Sequence, residues 1–510
     1  MNITLLVIFC LIYFYASNTS FTFGIGYFSL YRPLVLGIIL GIITGNYVEC
    51  VTVGILLNIM FYDFASTGGS IRFDMSIIMV VAVMALEIFN CNVLQAIAIA
   101  FPFGILGTAI FKIRLKYNGK FASDMKHAFI LNENKIHISV IKPQFMLLLI
   151  SVLMIILINY ILILFNNILS INYSFEKYVM QFFDLSGIAL IANYFIYFII
   201  KEIKYKHLIF LVTVPMIIFI PKITICLLIG IVIVCMIYDM RKMFMYHSDL
   251  KKDSKLLCKK DLLWIWTRWM NLSHASFNTE NMQALALNSA MLSLYKKIYK
   301  TNSEISKRIL DNYSLYNVEP NIGTVAIGYQ LNIEEKIACE EYDNNKSESI
   351  KKSMMGLVSG LGDSFTQTTL LPMYLGIAIC SMQLGYYVFA IASLLLLPAC
   401  ILMYSWNGLK FGYLYDKIGV LKYIDIIKNS LFQKFSKYLI FSCFFIMYFL
   451  ASGKIIEITV SLASNGYLII PIVLVSVIYN YLRKKKYDSI INVCLLYIVS
   501  AIAVSVCAII

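Results

Sequence analysis

LLPMYLGIAICSMQLGYYVFAIASLLLLPACILMY, Leu370–Tyr404, is a run of 35 residues without one Asp, Glu, Lys or Arg. About 20 apolar residues are enough for a helix to cross ~30 Å of hydrocarbon. The run is unbroken rather than alternating, so it reads as helix and not as barrel strand. Seven more runs read the same way: Ile3–Ala16, Gln144–Phe165, Asp184–Ile200, Leu208–Tyr238, Tyr438–Ala451, Tyr467–Leu482 and Ser489–Ile510. The shortest of them need flanking residues to complete a span. The 510-residue chain is 60% hydrophobic and 14% charged, with mean hydropathy +0.80. Soluble domains carry roughly 25% charged residues, so this chain has more apolar surface than a soluble core can hide. The expected fold is an all-α polytopic membrane protein.

Outward from that run, charge sets the topology. The net charge of +14 sits in the loops. It therefore speaks of orientation and anionic lipid rather than nucleic acid. No charged residue precedes Arg32, and no small-residue cleavage site follows the first run. That run is expected to stay as a span, with the N-terminus outside. The stretch DMRKMFMYHSDLKKDSKLLCKKDLLW is strongly basic and reads as cytoplasmic. The basic turn Arg483-Lys484-Lys485-Lys486 reads the same way and puts the C-terminus outside. Four parts result: a membrane domain over 1–245, a basic cytoplasmic linker over 246–260, a cytoplasmic amphipathic part over 261–352, and a second membrane domain over 353–510. The two transmembrane halves then run in inverted orientation, a layout common in transporters. No internal sequence repeat supports homology between them.

Immediately before the opening run stands GLVSGLGDSFTQTTLLP, Gly356–Pro372. Gly356, Gly360 and Gly362 read as hinges of a helix-broken, re-entrant loop. Asp363, Thr366, Gln367 and Thr368 supply donors and acceptors where polar groups are costly and usually face a cavity or partner. The first half has a counterpart in GILLNIMFYDFASTGGSIRFD, with Asn58, a break at Gly68-Gly69-Ser70, and Asp74. One polar, glycine-broken segment per half suggests a binding site between the halves. Further upstream, Gly37, Gly41 and Gly45 are spaced by four, which permits close helix packing.

Other chemistries lack their residues. There is no GxxxxGK[ST] loop for an ATPase and no HExxH. The five histidines are scattered, and His274 reads as a surface residue. The twelve cysteines have no CxxC and read as small buried hydrophobes. Neither a metal nor a cofactor is expected.

On these segments the chain resembles the mannose-type permeases of the bacterial phosphoenolpyruvate:sugar phosphotransferase system, with residues 1 to about 245 similar to the IIC subunit and about 255 to 510 to the IID subunit, here fused. The IIC resemblance rests on YRPLVLGIILGIITGN, VGILLNIM and STGGSIRFD, through Arg32, Pro33, Gly41, Gly45, Gly54, Gly68 and Asp74. Asn58 stands where Gln or Glu is usual, and Arg72-Phe73 where small residues and Pro are. The IID resemblance rests on KKDLLWIWTRW and on ASFNTENMQALALNSAMLSLYKKIY, through Phe277, Asn278, Glu280, Met282 and Gln283. It continues in LYNVEPNIGTVAIGYQLNIEEK through Asn317, Pro320, Gly328, Glu334 and Glu335, and in NGLKFGYLYDKIG through Gly408, Gly412 and Tyr413. Asn281 and Leu371 depart, each standing where the family has a basic residue.

The resemblance implies a multi-pass bacterial cell-membrane permease that carries a hexose-type sugar inward for phosphorylation. The phosphoryl group would come from a phospho-histidine on a separate cytoplasmic IIB protein, itself served by IIA. No IIA- or IIB-like domain is present, so the chain would be a transport component and not itself an enzyme. The resemblance also implies a homo-oligomer. Amides and carboxylates that meet hydroxyls are the candidates for sugar binding: Asn58, Ser70 and Asp74 from the first half, and Asn278, Glu280, Gln283, Asp363 and Gln367 from the second. Glu334 and Glu335 read as structural or partner-facing rather than catalytic. Lys296, Lys297 and Lys300 read as facing lipid headgroups. Two other readings stand beside this one: a receptor or sensor scaffold without phosphotransfer, motivated by Asn281, Leu371 and the fusion, and an ion-coupled secondary sugar transporter.

Overall fold

The computed structural model describes residues 2–18, 20–61, 73–131, 135–202, 220–249, 255–342, 344–440, 442–443 and 446–447. Ser70, the basic turn at 483–486 and the runs Tyr467–Leu482 and Ser489–Ile510 lie outside them. Every regular element among the described residues is helical. In the N-terminal half these are α1 (Ile3–Ser17), α2 (Pro33–Thr44), α3 (Tyr47–Met60), α4 (Met75–Phe89), α5 (Val93–Ala100), α6 (Phe103–Leu131), α7 (Lys135–Leu169), α8 (Tyr173–Glu202) and α9 (Pro221–Asp249). In the C-terminal half they are α10 (Lys259–Leu272), α11 (Ala284–Ile298), α12 (Asn302–Asp311), α13 (Thr324–Ala338), α14 (Asn344–Asp363), α15 (Leu371–Gln383) and α16 (Tyr387–Lys428).

Local chemistry starts and stops these helices. Asp74 caps α4 by accepting from the Ser76 and Ile77 amides at 3.0 and 3.4 Å. Asn92 and Gln95 form a capping box on α5, and Thr301 and Glu304 form one on α12. Pro33 opens α2, and Gly45 closes it at φ +83°. So Gly45 is a helix terminator, while Gly37, Gly41 and Gly54 do the close packing. A Cβ on Gly37 would lie 2.6 Å from the Cys50 carbonyl oxygen, and one on Gly54 2.7 Å from that of Pro33. Helices α2 and α3 therefore meet backbone to backbone. The same device joins α13 to α16. There, a Cβ on Gly328 would meet the Leu409 carbonyl, and one on Gly412 the Val325 carbonyl.

Among the described residues, five stretches are long and apolar enough to cross a membrane: 93–123, 135–169, 221–248, 348–383 and 387–440. Their outward faces are apolar. On α7, Phe145, Leu149, Leu153, Leu157 and Tyr160 are all exposed. Polar groups lie inside instead: Asn288, Asn332 and Glu334 are fully buried. That distribution suits a lipid solvent, in which internal polar groups must find internal partners. The part over 261–352 does not stand apart from the rest. Helices α11 and α13 are enclosed along most of their length, and α11 packs on α7 and α13.

At Gly356–Pro372 the structure differs from the sequence reading. The chain there does not break into a loop. Helix α14 runs through Gly356 and Gly360 and passes into a seven-residue π-helix, Ser364–Leu370, which leads into α15. The reason is local. Pro372 has no N–H to give the preceding turn, and a widened turn accommodates that defect. Hydroxyls bond back to the helix carbonyls, Thr366 to Gly362 at 2.9 Å and Thr368 to Ser364 at 2.6 Å. Gly362 permits an approach rather than a hinge, since an added Cβ would lie 2.6 Å from Glu319 Cβ.

Candidate functional site

The π-helix carries Gln367 one turn beyond Asp363, and the Gln367 amide donates to Asp363 Oδ1 at 2.9 Å. Tyr27 of the N-terminal half donates its hydroxyl toward Gln367 Oε1 at 3.5 Å. Tyr27 is held in turn by Arg32, which is buried. Its guanidinium lies over the Tyr27 ring at 4.5 Å, and its Nε donates to the Tyr27 carbonyl at 3.1 Å. Gly24, at φ +68°, brings the strap between α1 and α2 that carries Tyr27 against α10, where a Cβ would lie 2.8 Å from Met270 Cε. Asn271 fixes the strap by accepting from the Phe21 amide at 3.0 Å and, through Oδ1, from the Phe23 amide at 2.9 Å.

Opposite this strap lies the loop 317–321. Gln283 clasps it from behind, accepting from the Val318 amide at 2.9 Å and donating to the Val318 carbonyl at 3.0 Å. Trp269 adds a bond to the Pro320 carbonyl at 2.8 Å. The loop so held presents Glu319, which accepts from the Asn321 side chain at 2.7 Å and from the Asn321 and Ile322 amides at 3.0 and 2.6 Å. Together these elements enclose a cavity of about 70 Å³ between the two halves. Its lining among the described residues includes Tyr27, Ser273, His274, Asn317, Glu319, Asn321, Ser359, Asp363 and Gln367, and no Lys or Arg.

Burial pushes the Glu319 carboxyl up to about 7, against the pull of its hydrogen bonds, and the neighbouring Asp363 charge pushes it the same way. Burial, with the Arg114 charge, lowers His274 to about 4. His274 is therefore a neutral imidazole with one donor and one acceptor, and it lines the cavity rather than the surface. The Glu319 shift has a sign. A carboxyl raised from 4.5 to about 7 keeps its full stability contribution below pH 4.5 and loses it as pH rises through 7. The loss is on the order of 3 kcal/mol. The melting temperature of the purified protein is expected to fall between pH 5 and pH 8, and Glu319→Gln to flatten that fall.

The eight residues proposed from the sequence separate here. Asp363 and Gln367 line the cavity. Gln283 stands one layer behind, 3.4 Å from His274 Nε2. Asn278 organises its own turn, with Oδ1 accepting from the Glu280 and Asn281 amides at 2.9 and 3.0 Å. Glu280 is exposed, beside Gly119 and away from the cavity. Asp74 is occupied as a helix cap and as acceptor for the Tyr13 hydroxyl at 3.1 Å. Asn58 is buried on α3, its Nδ2 without a partner among the described residues. Ser70 lies outside the described residues. Sequence reasoning missed Glu319, Asn321, Tyr27 and Ser359. The signal for Glu319 was available: a carboxylate between Asn317 and Pro320 in an otherwise apolar chain. Glu334 is a structural residue, fully buried and paired through both oxygens with Arg308 at 2.6 and 2.9 Å.

Comparison with known proteins places this architecture. Residues 256–510 match the model of the "PTS system mannose/fructose/sorbose family IID component", and residues 1–236 that of the "PTS system sorbose-specific iic component". The chain belongs to the mannose/fructose/sorbose family of phosphotransferase-system membrane components. It is a fused IIC–IID member and an integral membrane protein. It is 29% identical over 181 residues to the mannose-specific EIID component of Escherichia coli K12, a match covering 34% of this chain and 60% of that one. It is 27% identical over 161 residues to the fructose permease IID component of Bacillus subtilis 168, covering 31% and 58%. With the sorbose-specific EIID component of Lacticaseibacillus casei it shares 26% identity over 144 residues, covering 28% and 51%. The chain thus spans about half to three fifths of the length of these relatives. A solved complex of a mannose transporter with microcin E492 aligns over 50% of this chain and 98% of its own, at 21% identity and a TM-score of 0.30.

Proposed function

We propose that this IIC–IID fusion is the membrane part of a phosphoenolpyruvate-dependent sugar phosphotransferase system. It binds a hexose-type sugar between its halves and delivers it for phosphorylation by a separate phospho-histidine IIB protein. The observation that carries this reading is the lining of the cavity. Asp363, Gln367, Glu319, Asn321, His274 and Tyr27 offer acceptors and donors to hydroxyls, and among the described residues no Lys or Arg lines the cavity to hold an anion. Such a lining suits an uncharged polyol and disfavours its phosphate ester. Phosphorylation therefore also empties the site and traps the product, because charge recrosses hydrocarbon poorly. We further read the two halves as oppositely oriented, 261–352 as the cytoplasmic approach for IIB, and the assembly as a homo-oligomer in anionic lipid.

The departures at Asn281 and Leu371 are compatible with transport. Asn281 Oδ1 accepts from Asn278 at 2.7 Å, and Leu371 is buried at the start of α15. The test supplies membranes containing the chain with phosphoenolpyruvate, the general phosphocarriers, IIA, IIB and a panel of labelled hexoses. One hexose is expected to become its phosphate, only when IIB is present. Accumulation of unmodified sugar that an uncoupler collapses would point to an ion-coupled transporter. Neither product, with a mannose permease working alongside, would leave the scaffold reading.

A further inference from the structure

A second group of polar atoms lies beside the cavity, at the seam where α1, α6 and α7 meet the segment 273–278. Six side chains there are at least nine-tenths buried, and each has a polar atom without a partner among the described residues: Asn18 Nδ2, Ser20 Oγ, Arg114 Nε, Asn118 Oδ1, Gln144 Oε1 and Ser276 Oγ. Hydrogen bonds tie them to one seam. Arg114 Nη1 donates to the Ser17 carbonyl at 3.4 Å, and Asn18 Oδ1 accepts from the Ser20 amide at 3.0 Å. Asn118 Nδ2 donates to the Phe277 carbonyl at 3.0 Å, and Gln144 Nε2 to the Ala275 carbonyl. Ser276 stands between those two carbonyls in the chain. His274, which lines the cavity, lies within electrostatic reach of Arg114.

Buried polar atoms are nearly always paired, by protein, water or ligand. Six atoms at one seam without a partner among the described residues therefore ask for an occupant. The two amides are oriented by their own donated bonds, so the free atoms of Asn118 and Gln144 are acceptors. The free atoms of Asn18 and Arg114 are donors, and a serine hydroxyl can be either. A phosphate is chiefly an acceptor, and would set its charge against two carbonyl oxygens. A hydroxyl both donates and accepts, and so matches the whole set. We infer that this seam is a second station for the hydroxyls of an uncharged polyol, next to the cavity and entered when the halves part. The inference rests on the sugar-transport reading above.

Serine-to-alanine changes test it. The Ser20 and Ser276 hydroxyls make no bond among the described residues, so Ser20→Ala and Ser276→Ala are expected to leave the melting temperature of the full chain unchanged or higher. Equilibrium binding of labelled mannose, sorbose and fructose to purified protein then reads the station. For the sugar that the wild type binds, each variant is expected to lose roughly three- to tenfold in affinity, the range of one hydrogen bond. Asn118→Leu is expected to lose about tenfold or more, and to discriminate less against the one deoxy analogue whose missing hydroxyl Asn118 would have met. Unchanged affinity and unchanged deoxy discrimination in all three variants would overturn the proposal and leave water as the occupant. Competition by inorganic phosphate that Arg114→Gln abolishes would overturn it in favour of an anion. A wild-type chain that binds no sugar removes both the station and the transport reading; a wild type that binds with unaffected variants removes the station alone.

Discussion

Glu334→Ala is expected to destabilise the protein by about 3–5 kcal/mol, read as a large fall in melting temperature in detergent. Removing this carboxylate strands Arg308, which is 5% exposed and has its guanidinium directed at both Glu334 oxygens. The loss spreads beyond the pair, because Asn312 Nδ2 and Gln330 Nε2 also donate to Glu334 Oε1, each at 3.0 Å. Asp311 is a poor substitute for Glu334, since it sits 3.5 Å from Arg308 Nη1 and is 41% exposed. Replacing both partners, Arg308→Met with Glu334→Leu, is expected to recover much of the loss, because no charge is then left buried alone. If Glu334→Ala instead melted like the wild type and only lost activity, the glutamate would be a functional group and not a structural one.

That outcome bears on what a sequence can tell. The class of fold was legible because membrane helices need long unbroken apolar runs, and 370–404 has one. The close helix crossings were legible in part, since Gly37 and Gly41 are spaced by four. Gly45 shared their spacing but ends the helix, and spacing alone does not separate the two uses. The turn at 356–372 was misread because glycine, aspartate and proline together usually punctuate a chain. Here a π-helix absorbs the proline, and hydroxyls satisfy the carbonyls. At the site, Asp363 and Gln367 were legible because polar residues in a greasy run are costly. Asn278 and Asp74 share that signal, but Asn278 Oδ1 meets local amides, and Asp74 meets local amides and the Tyr13 hydroxyl, pairings that no sequence pattern displays. Glu319 and Tyr27 come together across some 290 residues of sequence, and no local pattern announces such a meeting.

The cavity's own prediction concerns Asp363. Asp363→Asn keeps shape and can still accept from Gln367, so the fold is expected to hold. What disappears is a charged acceptor, and hydrogen bonds to charged groups contribute more than neutral ones, about 1.5–3 kcal/mol. Roughly 10- to 100-fold in sugar affinity should go with it. The charge that raises Glu319 goes too, so Glu319 should ionise at lower pH in the variant. Equilibrium binding of the transported sugar to purified wild-type and Asp363→Asn protein, with melting temperatures measured on the same samples, tests the claim that sugar sits between the halves. The account predicts equal melting temperatures and an affinity at least tenfold weaker in the variant. Equal affinity in a variant that melts like the wild type would contradict it and move the sugar out of this cavity.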